Sequence, residues 1–258
     1  MTGNGKERRA GSLLIGDAIH VLNPRLREAV RNRQEADLVD IARRQLSRGA
    51  DALAVNLGAG RAFSSAIPWV VETLRQETRG PLFLSASVMD HPEVLRKEGS
   101  SLVINAVTAD PDDMRRGMES AAKYGCALTV LLVRSGRIRG GVEGKLELGV
   151  EALLMAGEIG LPSSRLYLDP VLTARTDPNA WRLGRGVPDV GAVVDTISLL
   201  HETGTGVKTL VALGNGTEGM KGKRKSSLQA GMLSLFGEAG VDAVLLSCLD
   251  GIGMRAAA

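Results

Sequence analysis

Aromatic residues are scarce in this 258-residue chain: three Phe, two Trp and two Tyr make up 3% of it. Nucleic-acid-binding sheets and single-strand grooves stack bases on such rings, so the net charge of +3 and isoelectric point near 9.0 do not by themselves point to nucleic acid. An anionic ligand or an acidic protein partner suits this mild basicity better. Cysteine is equally sparse. Cys126 and Cys248 both lie in apolar stretches, GCALTVLLV and AVLLSCL, and read as buried thiols, not as a disulfide frame or a metal site. The three histidines, His20, His91 and His201, have neither i,i+4 spacing nor a carboxylate companion in a shared motif, so no metal site is expected. There is no G-x-S-x-G serine and no cysteine near a His in a nucleophile pattern, so a nucleophile, if the reaction needs one, is expected to arrive with a substrate. No apolar run reaches the roughly 18 residues of a membrane span. The opening MTGNGKERRAGS lacks the apolar core of a secretory leader. A soluble cytoplasmic protein is expected, with no membrane contact and with residues 1–11 as a flexible N-terminus.

What the chain does have is 44% apolar residues, enough for one large core, and 32 glycines without a collagen-like period, as tight strand-to-helix turns require. Eight short apolar runs alternate with helical patterns. The runs are SLLIG (12–16), ALAVN (52–56), PLFLS (81–85), SLVIN (101–105), CALTVLLV (126–133), RLYLD (165–169), VKTLVAL (207–213) and DAVLLS (242–247). Helical spacing follows the first run over 36–48, after a polar, Arg-rich connection. It then covers IPWVVETLRQE, 91–98, 110–124 with Asp110 as cap, 143–159, 190–202 and 226–239. Several runs are continuously apolar, as parallel strands covered on both sides should be. The fold expected is α/β, a single-domain (β/α)8 TIM barrel spanning 1–258. GNGTEG (214–219) fits G-x-G-x-x-G, the best support for an open doubly wound sheet. Its glycines run into MKGKRK and not directly into a helix, which weakens the match. SGRIRGG (135–141) and GMKGKRK (219–225) read as loops on the face where a site belongs.

Amide or acid side chains close four of these stretches: ALAVN at Asn56, SLVIN at Asn105, RLYLD at Asp169, and VALGN (211–215), which carries the seventh run on to Asn215. Each can simply cap loop backbone. Together they form a ring of directional donors and acceptors that suits a flat heterocycle at the carboxyl end of a barrel. His20, just after the first run, faces the same end. His91 and His201, at helix ends, read as surface or capping residues.

At these same residues the chain resembles the pterin-binding (β/α)8 family, which includes dihydropteroate synthases and the methyltetrahydrofolate:corrinoid protein methyltransferases. It looks most like the second group. LLIGDAIH (13–20) is similar to an IGERIN-type opening, and RRQLSRGADALAVNLG (43–58) to an RRQ-x-x-x-GA-x-ALDLN-x-G segment. VINAVTAD (103–110), GLPSSRLYLDPVL (160–172) and LVALGNGT (210–217) resemble INS-x-x-A/D, GLP-x-x-x-LYIDPL and GLSNVS. The resemblance implies that Asn105 and Asp169 hydrogen-bond a pterin ring and that Asn215 is a mobile residue approaching its N5. It implies a methyl group passing between a reduced folate (methyltetrahydrofolate/tetrahydrofolate) and a corrinoid (cobalamin) carried by a partner protein, and a homodimer. The basic loops would suit a folate glutamate tail or an acidic corrinoid protein.

The chain departs from that pattern where carboxylates belong: Ala54 stands for the Asp of ALDLN, and Ser85 for the Asp ending the third strand. Asp17, Ala18 and His20 replace the opening Glu, Arg and Asn. Ser85 then holds the ring through one hydroxyl, or Asp17 and His20 compensate; otherwise the pocket takes a different pterin-like methyl carrier, or the barrel has kept docking and lost catalysis. The late Ser-Arg-Lys signature of dihydropteroate synthase is missing near Gly214 and Asn215, and KGKRKSS comes several residues too late.

Overall fold

Eight parallel strands close on themselves in sequence order, each pairing with its neighbours and β8 returning to β1. The computed structural model describes residues 11–58, 61–134, 141–172 and 189–250. The strands are β1 (Leu13–His20), β2 (Ala52–Asn56), β3 (Leu82–Leu84), β4 (Leu102–Thr108), β5 (Ala127–Leu131), β6 (Leu166–Asp169), β7 (Lys208–Ala212) and β8 (Ala243–Leu246). Around them run α1 (Pro24–Arg31), α2 (Glu35–Leu46), α3 (Ile67–Glu77), α4 (Pro92–Glu98), α5 (Pro111–Tyr124), α6 (Gly141–Ile159), α7 (Val190–Glu202) and α8 (Gly222–Glu238). This is the (β/α)8 barrel expected. The proposed flexible N-terminus lies almost wholly outside the described residues, as do residues 135–140 of SGRIRGG.

Two expectations need correction. The polar connection after β1 contains α1: Asn23 accepts from the backbone N–H of Arg25 at 3.1 Å, Pro24 opens the first turn, and Leu26, Ala29 and Val30 are buried along one side. Only these three small or branched apolar residues mark the helix against a row of Arg and Glu, so a period count over eight residues misses it. GMKGKRK is likewise not a loop throughout, because Gly222 to Lys225 form the first turn of α8.

Packing follows from the burial of both strand faces. Outward-facing Leu53, Leu82, Ile104, Leu128 and Leu168 pack under helix residues such as Leu38, Val70, Leu95, Met118 and Leu148. Inward-facing Ile15, Ala52, Ala54, Phe83, Val103, Tyr167, Leu210 and Ala243 fill the barrel. Phe83 and Tyr167 meet edge to face, with centroids 5.8 Å apart. Small Ala54 stands in register beside Phe83 across β2 and β3, so the interior is filled by unequal partners. Cys126 and Cys248 are buried free thiols, as the sequence suggests.

At its carboxyl end the barrel is irregular in two places. On β1 the register with β2 shifts between Gly16 and Ile19, and on β4 the register with β5 shifts between Asn105 and Val107. An extra residue in a strand re-aims the side chains around it. The residues so re-aimed include Asp17, Asn105 and Ala106.

Candidate functional site

A cavity of 830 Å³ opens at the carboxyl ends of β1 to β4. Its apolar wall is Ile19, Ala54, Phe83 and Leu245, and its polar wall includes Asp17, His20, Asn56, Ser85, Ser87, Asn105 and Asn215. Six of the seven site residues expected from the sequence are therefore brought together. Asp169 is not among them. It ends β6, is 4% exposed, and its Oδ1 accepts from the backbone N–H of Val171 at 2.8 Å.

The six differ in what holds them. Asn56 Oδ1 accepts from the Gly58 N–H at 2.9 Å, the ordinary loop-capping role of a strand-end Asn. The Ser85 and Ser87 hydroxyls lie 3.0 Å apart. Asn105 and Asn215 have side-chain amides with no hydrogen-bond partner among the described residues, and His20 Nδ1 is buried with none. Burial pushes the His20 imidazole below its ordinary pKa, so the ring is neutral at pH 7 and offers one donor and one acceptor. Asp17 sits against the turn after β7: a Cβ on Gly214 would lie 3.9 Å from its Oδ2.

Neighbouring elements fix the backbone of these residues. Gln45, fully buried on α2, accepts from the Ala18 N–H through Oε1 at 2.8 Å and so clamps the irregular end of β1. Gly16 makes room for it, since a Cβ there would stand 2.5 Å from that oxygen. The turn bearing Asn215 (Leu213–Thr217) is held from α8, where Gln229 Nε2 donates to Thr217 Oγ1 at 2.9 Å and Thr217 Oγ1 donates to Gly214 O at 3.3 Å. Gly216 lies against Leu172 and Met232 so closely that a Cβ would meet them at 2.8 and 3.0 Å. Neither glutamine draws attention as a catalytic type. The available signal is position, since each falls where α2 or α8 otherwise presents apolar side chains to the strands.

Asp169 belongs to a separate buried charged group that is not in the cavity lining. Lys145 of α6 is 2% exposed and feels the charges of Asp189 and Asp169. Burial lowers the Lys145 pKa, while burial raises that of Asp169 to about 7 against the opposing pull of the Val171 N–H and of Lys145. Sequence reasoning passed over Lys145 because a lysine in a helix normally faces solvent. The histidines at helix ends do structural work. His91 contacts Ser64 and Glu93, and His201 Nε2 lies 3.0 Å from Asp242 Oδ2. Asp110 stands at the N-cap of α5 but makes no side-chain cap bond; its carboxylate accepts from the Thr108 hydroxyl.

Fold and cavity together define a (β/α)8 barrel with a ligand-sized, mixed polar and apolar pocket at the face where such barrels build their sites. No protein-family model matches the chain. Among solved structures, the chain is similar to Yersinia pestis dihydropteroate synthase in complex with a pterine-sulfa conjugate, at 16% identity and a TM-score of 0.65 over 96% of this chain and 91% of that one. Dihydropteroate synthase from Xanthomonas albilineans in complex with 7,8-dihydropteroate matches at 19% identity and a TM-score of 0.63, over 96% and 91% of the two chains. The 7,8-dihydropteroate synthase from Vibrio fischeri gives 12% and 0.64, over 91% and 87%. At such identities the likeness establishes the fold.

Proposed function

We propose that this chain is a pterin-dependent transferase, and specifically a methyltransferase that moves a methyl group between N5 of a reduced folate and the cobalt of a corrinoid carried by a separate protein. The observation that carries the proposal is the convergence of Asn105, Asn215 and His20 on one cavity, with hydrogen-bonding groups not engaged among the described residues and with Phe83 and Ala54 as an apolar bed for a flat ring. The amides of Asn105 and Asn215 are half-buried and open to a ligand, and His20 Nδ1 adds a buried polar atom without a partner among the described residues, where such atoms are normally satisfied. A second support is negative: Lys223 and Arg224 stand in α8 and do not line the cavity, so the Ser-Arg-Lys signature of a dihydropteroate synthase has no counterpart at the Asn215 turn.

In the demethylating direction the N5–CH3 bond breaks and its electron pair stays on N5. A corrinoid on the partner would supply the nucleophile and accept the methyl group, which accords with the absence of a serine or cysteine nucleophile motif in the sequence. The protein orients the ring and stabilises charge at N5. Asn215 is assigned to N5, where its amide stabilises the proton that makes the reduced pterin a tolerable leaving group. Asn105, Ser85 and Asp17 are assigned to the ring edge, with neutral His20 above the β1 bulge. The resemblance assigns Asp169 to the same edge; it is buried and absent from the cavity lining, so the proposal rests on Asn105 and Asn215. A homodimer belongs to the same proposal. On α6, Val150 and Leu154 are 48% and 65% exposed one turn apart, and α7, which packs on α6, exposes Leu199. A second copy is the occupant proposed for that apolar face.

The test is calorimetric titration with methyltetrahydrofolate, followed by anaerobic methyl transfer to cob(I)alamin read from absorbance. Binding with turnover is the expected result. Binding without turnover favours the barrel that docks a partner but does not catalyse, or another acceptor. No binding at millimolar ligand removes folate. A different pterin-like carrier is the second reading, favoured by the Ser85–Ser87 hydroxyl pair at the place where the family has a carboxylate.

A further inference from the structure

The cavity is larger than a bicyclic ring needs and extends outward past β3 and β4, where Ser87, Asp90 and Arg116 line it. Arg116 lies on α5, and helix side chains lean toward the helix N-terminus, which here is the carboxyl end of the barrel. Its surroundings make its behaviour informative. Asp112 and Asp113 stand at i−4 and i−3, the positions from which a helix usually supplies an acid to an arginine. Yet Arg116 forms no ion pair or hydrogen bond among the described residues: Asp113 instead accepts from the Thr108 hydroxyl at 3.0 Å, and the adjacent Arg115 pairs with Glu158 at 3.6 Å. Among the described residues that line the cavity, Arg116 is the one basic side chain apart from His20, whose pKa burial lowers, and it stands there with two acids, Asp17 and Asp90. Lys221, Lys223 and Arg224, the basic cluster that the sequence suggests for an anionic tail, are absent from that lining.

We infer that Arg116 marks a subsite for an anionic substituent of the pterin. The ring sits over Phe83 among Asn105, Asn215 and His20, and its substituent leaves across β3 and β4 so that its carboxylate meets the guanidinium. Five N–H donors in a planar fork match a carboxylate in two-point fashion. The inference rests on the pterin reading of the cavity. It assigns the glutamyl tail of a folate to α5 and leaves the basic end of α8 free of it.

The experiment compares tail-less tetrahydropterin, tetrahydrofolate and a pterin carrying a diphosphate, titrated into wild type, Arg116→Ala, Arg116→Glu and the control Lys223→Glu/Arg224→Glu. Arg116→Ala is expected to weaken tetrahydrofolate roughly two- to fivefold, the range of a solvent-accessible ion pair, and Arg116→Glu to weaken it further. Affinity for tail-less pterin stays the same in both, and the α8 variant matches wild type. A loss seen only with the diphosphate keeps the subsite and changes the anion from carboxylate to phosphate. Equal losses for tailed and tail-less ligands, no loss at all, or a loss reproduced by the α8 variant each overturn the subsite while leaving the pterin reading intact. Wild type that binds none of the three ligands overturns both.

Discussion

At the scale of single residues, the cavity separates groups held by the protein from groups left for a ligand. Asn56 is spent on its own loop, whereas the amides of Asn105 and Asn215 are not bonded among the described residues. Asn215→Ala should therefore slow methyl transfer far more than it weakens binding, on the order of a hundredfold if the amide acts on charge that develops in the transition state. Steady-state kinetics beside calorimetry checks this, and equal losses in rate and affinity would make Asn215 a ground-state contact. Ser85→Asp places a carboxylate at the ring edge proposed for a pterin. It should tighten folate binding about tenfold through charge-assisted bonds, and a loss of affinity would instead favour a ligand with a different edge. Polar strand ends are legible in a sequence because a run of Val, Leu and Ala makes a terminal Asn stand out. Gln45 is not legible as a clamp, since its role depends on β1 bulging toward α2, a tertiary event. Arg116 escapes notice because it is one of two adjacent arginines on an amphipathic helix, and only the cavity tells them apart.

At the scale of elements, the apolar runs and helical spacings locate every strand, and α3 and α7 fall where the periodicity puts them. The exceptions are short or ambiguous in charge: α1 is eight residues long, and α8 begins with Gly, Lys and Arg, which resemble a loop until packing decides. The turn bearing Asn215 shows how an element acts on the site. Thr217 joins Gln229 to Gly214 O through one hydroxyl, and Gln229 Oε1 is without a partner among the described residues. Thr217→Val thus strands the whole Gln229 amide and should cost about 1–3 kcal/mol. Gln229→Leu removes the orphan along with the bond and should cost less; the double variant should recover part of the loss of Thr217→Val. Urea denaturation of the four proteins measures the coupling. Additive costs would show that the hydroxyl and the amide act independently, and the turn would then owe its position to the packing of Gly216.

At the scale of the whole molecule, association and pH dependence follow from surface and buried groups respectively. Leu154→Lys places a charge in the apolar face of α6 and should yield monomers by light scattering with the barrel still folded; a wild type already monomeric at micromolar concentration would remove the dimer. The pH dependence has its main source in Asp169. Its carboxyl titrates near 7 when folded because burial penalises its charge, and near 3.9 in an unfolded chain. Between those values the native state keeps a proton that the unfolded state has released, so stability falls as pH rises from about 4 to about 7 and is flat above. The loss is on the order of a few kcal/mol, reduced by whatever charge Lys145 retains nearby. Lys145 acts in the opposite sense at higher pH: burial depresses its pKa, so its contribution to stability grows as pH rises through the native value. Asp169→Asn keeps the shape and the Val171 acceptor but cannot ionise. Relative to wild type it should gain stability between pH 5 and about pH 7 and level off above that in urea titrations. If the two proteins keep a constant difference across that range, the Asp169 carboxylate is ionised and well compensated in the native barrel, and Lys145 is then its counter-ion.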